Sequence, residues 1–231
     1  MMTRPIRIGF VLLTLALLVS GTWLGLVWSP PEREMGNVYR IIYMHVPAAW
    51  MALLAATMNF GASVSYLWKA SWQKDAFAEA TAEVGLLFGT IAILLGAIWG
   101  KPTWGVYWAW DPRLTTTAIL LVAYAGYLAL RRFVDDPDRR AVWSSVVGIV
   151  IAVDVPVVYF SVKWWKSLHQ VQSTPKTLDS AMKFTLQYNG VAFLAVLVVF
   201  LVVRYRIALA NRLRETTVPD APTSARQAVV S

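Results

Sequence analysis

The 231-residue chain is 58% hydrophobic and only 15% charged, and its apolar residues come in long runs rather than alternating patterns. That excludes an ordinary soluble domain, which carries more charge, and points to an all-α, polytopic membrane protein. The absence of cysteine excludes disulfides, thiol redox chemistry, cysteine-ligated metal and thioether attachment of a cofactor; the net charge of +8 reads as basic loops held in the cytoplasm rather than as a nucleic-acid footprint.

Six transmembrane helices are expected, at 6–28, 46–68, 81–100, 114–130, 142–162 and 186–205, each near the roughly 17–25 residues that cross a bilayer core. The first follows Arg4 and Arg7 as a signal peptide would. It exceeds the usual apolar stretch of about 7–15 residues and lacks a small-x-small cleavage site, so it reads as a retained helix. His45 stands in Tyr43-Met44-His45-Val46-Pro47, just before the second span, where Pro47 suits a helix start. Glu83 falls near the inner end of the third span.

Between spans three and four lies the densest ring cluster of the chain, Trp104-Gly105-Val106-Tyr107-Trp108-Ala109-Trp110, followed by Asp111-Pro112-Arg113. Asp111 is placed to cap the fourth helix, and Pro112 fits its first position, where a missing N–H costs nothing. An extended segment would put Trp104, Trp108 and Trp110 on one face; a helix would align only Trp104 and Trp108. In span five, Pro156 frees the carbonyl of residue 152 beside Asp154, which reads as a polar kink. His169 follows that span in Ser161-Val162-Lys163-Trp164-Trp165-Lys166-Ser167-Leu168-His169-Gln170. Residues 1–211 form the six-span domain; 212–231, with Pro219 and Pro222, read as a disordered polar cytoplasmic tail.

With both termini cytoplasmic, thirteen lysines and arginines fall inside and eight outside, the inner loop 131–140 being the clearest case. Nine of twelve tryptophans (23, 28, 50, 99, 104, 108, 110, 164 and 165) then fall toward the outer side, against Trp68, Trp72 and Trp143 within. An ordinary aromatic belt decorates both interfaces, so the bias favours a ligand platform. A lone interfacial histidine is usually a surface hydrogen-bonding group. His45 and His169 are the only two, on one side, and flank the tryptophan-rich segment. Neutral imidazoles are good axial ligands for haem iron, and Arg40, Lys101, Arg113, Lys163 and Lys166 are near enough to meet carboxylates. Arg113 is the first choice, because a guanidinium clamps a carboxylate with two bonds.

The pattern Trp-Gly-x-x-Trp-x-Trp-Asp-x-Arg-Leu-Thr at 104–115 resembles the signature of the tryptophan-rich haem-handling proteins of cytochrome c biogenesis, and within that group the chain is similar to the CcmC family. Met44-His45-Val46-Pro47-Ala48-Ala49-Trp50, Ile98-Trp99-Gly100-Lys101-Pro102-Thr103 and the segment 161–170 match as well, so the resemblance covers all but the tail. It implies a protein that is not an enzyme and holds haem b, non-covalently and transiently, at the periplasmic face of the bacterial inner membrane. His45 and His169 would be the axial ligands, with Trp99, Trp104, Gly105, Trp108, Trp110, Asp111 and Arg113 completing the site. The partners implied are the periplasmic haem chaperone CcmE and an ABC transporter complex of CcmA, CcmB and CcmD. One departure is Asp154, where the family pattern tends to Asn. Two competing readings follow from the residues. A bis-histidine b-type cytochrome subunit for electron transfer usually places its histidines inside the spans. A small-molecule permease needs a polar path, and beyond Asp154 and Glu83 none is evident.

Overall fold

The computed structural model describes residues 4–169 and 179–217, and no strand occurs among them. The helices are α1 (Arg4–Trp23), α2 (Ile42–Trp68), α3 (Trp72–Trp104), α4 (Pro112–Phe133), α5 (Pro137–Ala152), α6 (Asp154–Trp164) and α7 (Ser180–Thr217). Six stretches are long and apolar enough to cross a membrane: Arg4–Trp28, Asn37–Trp68, Trp72–Trp104, Pro112–Phe133, Pro137–Trp164 and Ser180–Glu215. This is the all-α, six-span architecture expected. The fifth span is α5 and α6 in line, broken at Val153. Pro156 has no N–H to bond the Ala152 carbonyl, so the ladder fails there and Val153 N–H turns back to the Val150 carbonyl.

α2 and α3 form the antiparallel centre. Ala48, Ala52 and Ala55 of α2 meet Val84, Phe88 and Ala92 of α3, with Leu197 and Leu201 of α7 closing the cluster. In an apolar solvent helices associate by close packing, which small residues permit. A second cluster joins Ala56 and Ala82 to Leu120, Tyr124 and Tyr127 of α4, Ile151 of α5 and Val158 of α6. α1 is tied to α7 through Asn189, which donates to the Gly21 carbonyl at 3.0 Å.

α3 and α7 extend well past the apolar runs that announce them. The reason is a buried ion cluster at the end of the bundle opposite the tryptophan-rich segment. Asp75 accepts from Arg131 through both oxygens, at 2.8 and 3.0 Å, and Arg131 also donates to Glu79 at 2.7 Å. Arg212 pairs with Asp75 at 2.6 Å and with Glu215 at 2.9 Å, and Arg140 of α5 joins through Glu215. Glu83 is paired with Arg204 through both carboxylate oxygens. Each acid that would otherwise end the span is neutralised, so the helices run on. Residues 212–217 are therefore helical rather than disordered, and Arg212 is buried. Positions 218–231 of the tail lie outside the described residues, as do Gln170 and Lys176.

The entry to α2 also differs from expectation. A 3-10 turn, Asn37–Ile41, leads into a helix that starts at Ile42, so His45 sits in the first turn of α2 and Pro47 inside the helix. His45 is thus a helix residue, not a loop residue. Tyr43, buried under Gly25 and hydrogen-bonded to Ser29, anchors this turn against the end of the first span.

Candidate functional site

At the tryptophan-bearing end, α2, α3, α4 and α6 enclose an apolar cavity of about 260 Å³, with His45, Trp99, Trp108, Arg113 and His169 on its wall. His45 reaches it across α3 because Gly96 leaves the space: a Cβ at 96 would lie 2.9 Å from the imidazole Cε1. Its Nδ1 is 2.9 Å from the Ala92 carbonyl. A carbonyl only accepts, so the bond assigns a proton to Nδ1, and in the neutral imidazole the lone pair then sits on Nε2.

His169 enters from the opposite side. α6 ends at Trp164, and the following residues turn back over the end of α4. There Asp111 accepts from the Ser167 hydroxyl at 3.0 Å and from Leu168 N–H at 2.6 Å, while His169 N–H donates to Ser167 Oγ at 3.0 Å. The two imidazole centroids are 6.3 Å apart and tilted by 38°. His169 Nδ1 is buried without a hydrogen-bond partner. Burial, then the charge of Arg113, then His45 push the His169 imidazole down to about 4, with Asp111 opposing, so it is neutral at physiological pH.

The indoles are distributed rather than stacked on one face. Trp104 is the last residue of α3 and lies against His169 at 5.2 Å. Gly105 then takes a left-handed conformation (φ 80°), which a side chain would strain, and its N–H closes α3 on the Lys101 carbonyl. Trp108 lines the cavity. Trp110 packs edge-on against it at 5.7 Å but points outward, 82% exposed. Trp99 meets the His45 ring edge-on at 5.9 Å, and its indole nitrogen is buried without a partner.

Of the five cations expected near the site, Arg113 is the one on the cavity wall. Its Nη2 donates to the Tyr159 carbonyl at 3.1 Å, while its buried Nε has no partner. Lys101 instead bonds the Gly105 carbonyl and covers the Tyr107 ring, Arg40 bonds the carbonyls of Leu26 and Ser29, and Lys163 lies over Phe160. Asp111 caps α4 through Arg113 N–H as expected, but it is absent from the cavity wall. Gly105 likewise acts on the backbone only.

Sequence reasoning missed the depth of the site. The cavity continues between the helices to Gly85 and Tyr124, about 21 Å of helix down α3 from Trp99. Trp50, counted among the outer tryptophans but not among the site residues, also lines the cavity and packs on Gly190. A signal existed: Gly85, Gly89, Ala92 and Gly96 recur every three or four residues on α3, a small-residue stripe facing α2 and α4.

No group of three or more metal-ligating side chains occurs among the described residues. Two neutral, opposed nitrogen donors do not make a site for a bare ion. They suit a metal that arrives with its equatorial positions already filled by a planar ring.

The family model for heme exporter protein C, CcmC, matches residues 1–219. Among curated proteins, heme exporter protein C of Bradyrhizobium diazoefficiens is 36% identical over 170 residues, 71% of this chain and 64% of that one. Heme exporter protein C of Haemophilus influenzae is 37% identical over 205 residues, 87% and 83% of the two chains. A ccmC-like mitochondrial protein of cytochrome c biosynthesis from Marchantia polymorpha is 38% identical over 148 residues, 64% and 62%. The match thus spans just under two thirds of the Bradyrhizobium and Marchantia proteins.

Proposed function

The chain belongs to the heme exporter protein C family, and from that premise we propose that it is a haem-binding transfer protein, not an enzyme, which holds haem b transiently and passes it on for c-type cytochrome maturation. The observation that carries the reading is the opposed pair of neutral imidazoles, 6.3 Å apart, above an apolar cavity with one guanidinium on its wall. His45 Nε2 and a nitrogen of His169 would take the two axial positions. The bond from Nδ1 to the Ala92 carbonyl orients His45 and raises its basicity. Trp99, Trp104 and Trp108 would enclose the ring and exclude water, and Arg113, through its free Nε–H, would meet a propionate.

Delivery is easier if haem leaves without breaking a covalent bond, and a chain without cysteine forms no thioether to it. The acceptor in this reading is the periplasmic chaperone CcmE, with CcmA, CcmB and CcmD as the transporter partners. The protein would lie in the bacterial inner membrane, both termini cytoplasmic and the site periplasmic, as the excess of inner-loop arginines favours.

The test is the visible absorption spectrum of detergent-purified protein, co-expressed with the maturation components, beside His45→Ala and His169→Ala. A Soret band that shifts or weakens in both variants supports the reading; haem retained unchanged in both removes the axial assignment. The position of His45 inside a spanning helix gives the b-type cytochrome reading one observation in its favour. Reversible reduction by a natural quinol in a redox titration would favour that alternative.

A further inference from the structure

The carboxylate of Asp111 is 6% exposed as a residue and fully engaged. One oxygen accepts from Arg113 N–H at 2.9 Å and from the Ser167 hydroxyl at 3.0 Å; the other accepts from Leu168 N–H at 2.6 Å. Ser167 Oγ in turn accepts from His169 N–H. Two residues on, Arg113 grips the middle of α6 through the carbonyls of Val158 and Tyr159. Among the described residues, no backbone–backbone hydrogen bond involves 166–169. The segment that carries His169 is therefore held to the bundle by the first turn of α4.

We propose that Asp111 is the positioning residue of the site: it latches residues 167–168 onto the N-terminus of α4, sets His169 opposite His45, and so couples the tryptophan-rich segment to axial ligation. This rests on the haem-binding reading above. It reassigns the signature aspartate from contact with the ligand to control of the segment that bears a ligand. It also gives release a mechanical handle, because a partner that displaces the 105–111 segment pulls on the same carboxylate that holds His169.

Asp111→Asn separates the two roles of the residue. Asparagine caps helices as well as aspartate, and its oxygen can keep the bonds from Arg113 and Ser167. Its amide would face Leu168 N–H donor to donor, so that bond is lost. Loss of one charge-assisted bond corresponds to about ten- to a hundred-fold, and that is the expected acceleration of hydrogen exchange at the Leu168 amide. In the haem-loaded protein, Asp111→Asn should lose six-coordinate character in the Soret and visible bands, and added imidazole should restore it. In a His169→Ala background the same substitution should change haem affinity less than about two-fold, since the ligand it positions is gone. Ser167→Ala, which leaves the cap intact, should move the spectrum in the same direction by less.

An unchanged spectrum together with unchanged Leu168 exchange overturns the latch. So does a further large loss of haem when Asp111→Asn is added to His169→Ala, which would mean that Asp111 touches the ligand. A wild-type protein that never carries haem would overturn the haem reading instead. The latch is then judged separately, by Leu168 exchange and by the mobility of a spin label attached through Lys166→Cys, in a chain that has no other cysteine.

Discussion

Gly96→Ala is a small change with a calculable effect. The added methyl carbon would lie 2.9 Å from His45 Cε1 and 3.4 Å from Nδ1. Carbon atoms rest at about 3.5–4.0 Å, so the imidazole must retreat by about 0.6 Å or more. The same ring is held by a single 2.9 Å bond to the Ala92 carbonyl, and a retreat of that size stretches the bond beyond hydrogen-bonding distance or rotates Nε2 off the axis toward His169. Disrupting such an orienting bond typically costs 10- to 100-fold in metal affinity. The helix itself gains by up to about 1 kcal/mol on replacing glycine with alanine, so the fold is not what fails. Haem titration followed at the Soret band, with thermal unfolding in the same detergent, separates the two. The expected result is weaker haem binding at equal or higher thermal stability. Gly61→Ala, at a position with open space around it, is the control and should leave haem affinity unchanged. Equal haem affinity in Gly96→Ala and wild type would refute the reasoning that α3 presses His45 into register.

Arg131→Ala leaves Asp75 buried with one partner fewer and should lower unfolding free energy by about 3–5 kcal/mol, seen as a large fall in thermal midpoint in detergent; a small shift would mean that Arg212 alone satisfies Asp75. Arg113→Lys loses the planar fork and its bonds to the Val158 and Tyr159 carbonyls. It should weaken binding of haem, but not of haem dimethyl ester, whose propionates carry no charge. His169, held down to about 4 against an ordinary value of 6.5, is protonated in the unfolded chain before the folded one. Its effect on stability is nil above pH 6.5, and stability should fall as pH drops from 6.5 towards 4, by on the order of 3 kcal/mol in total. Denaturant midpoints of haem-free protein across that range should flatten in His169→Gln.

The candidate site shows where sequence reading stops. The cap made by Asp111 and Pro112 was legible because capping is local chemistry between neighbours. Its bonds to Ser167 and Leu168 were not, because those residues are more than fifty positions away in the chain. The tryptophan-rich segment was visible as composition, yet only the left-handed turn at Gly105 decides that Trp104 faces His169 while Trp110 faces out. Arg113 was singled out among five similar cations by its chemistry, and packing then removed Lys101, Arg40 and Lys163 by giving them carbonyls and rings of their own.

The sequence by itself determined the six spans and the fold class, because each hydrophobic run answers to a single solvent, the bilayer, and needs no partner to be recognised. Only the tertiary structure decided where the spans end and what their polar residues do. The third span is expected from residue 81, yet α3 begins at Trp72, because Arg131 and Arg212 arrive from other helices to neutralise Asp75 and Glu79. The same holds for the two histidines. Their being the only pair is a fact of sequence; their standing 6.3 Å apart is set by Gly96, Ala92 and Asp111, none adjacent to either in the chain.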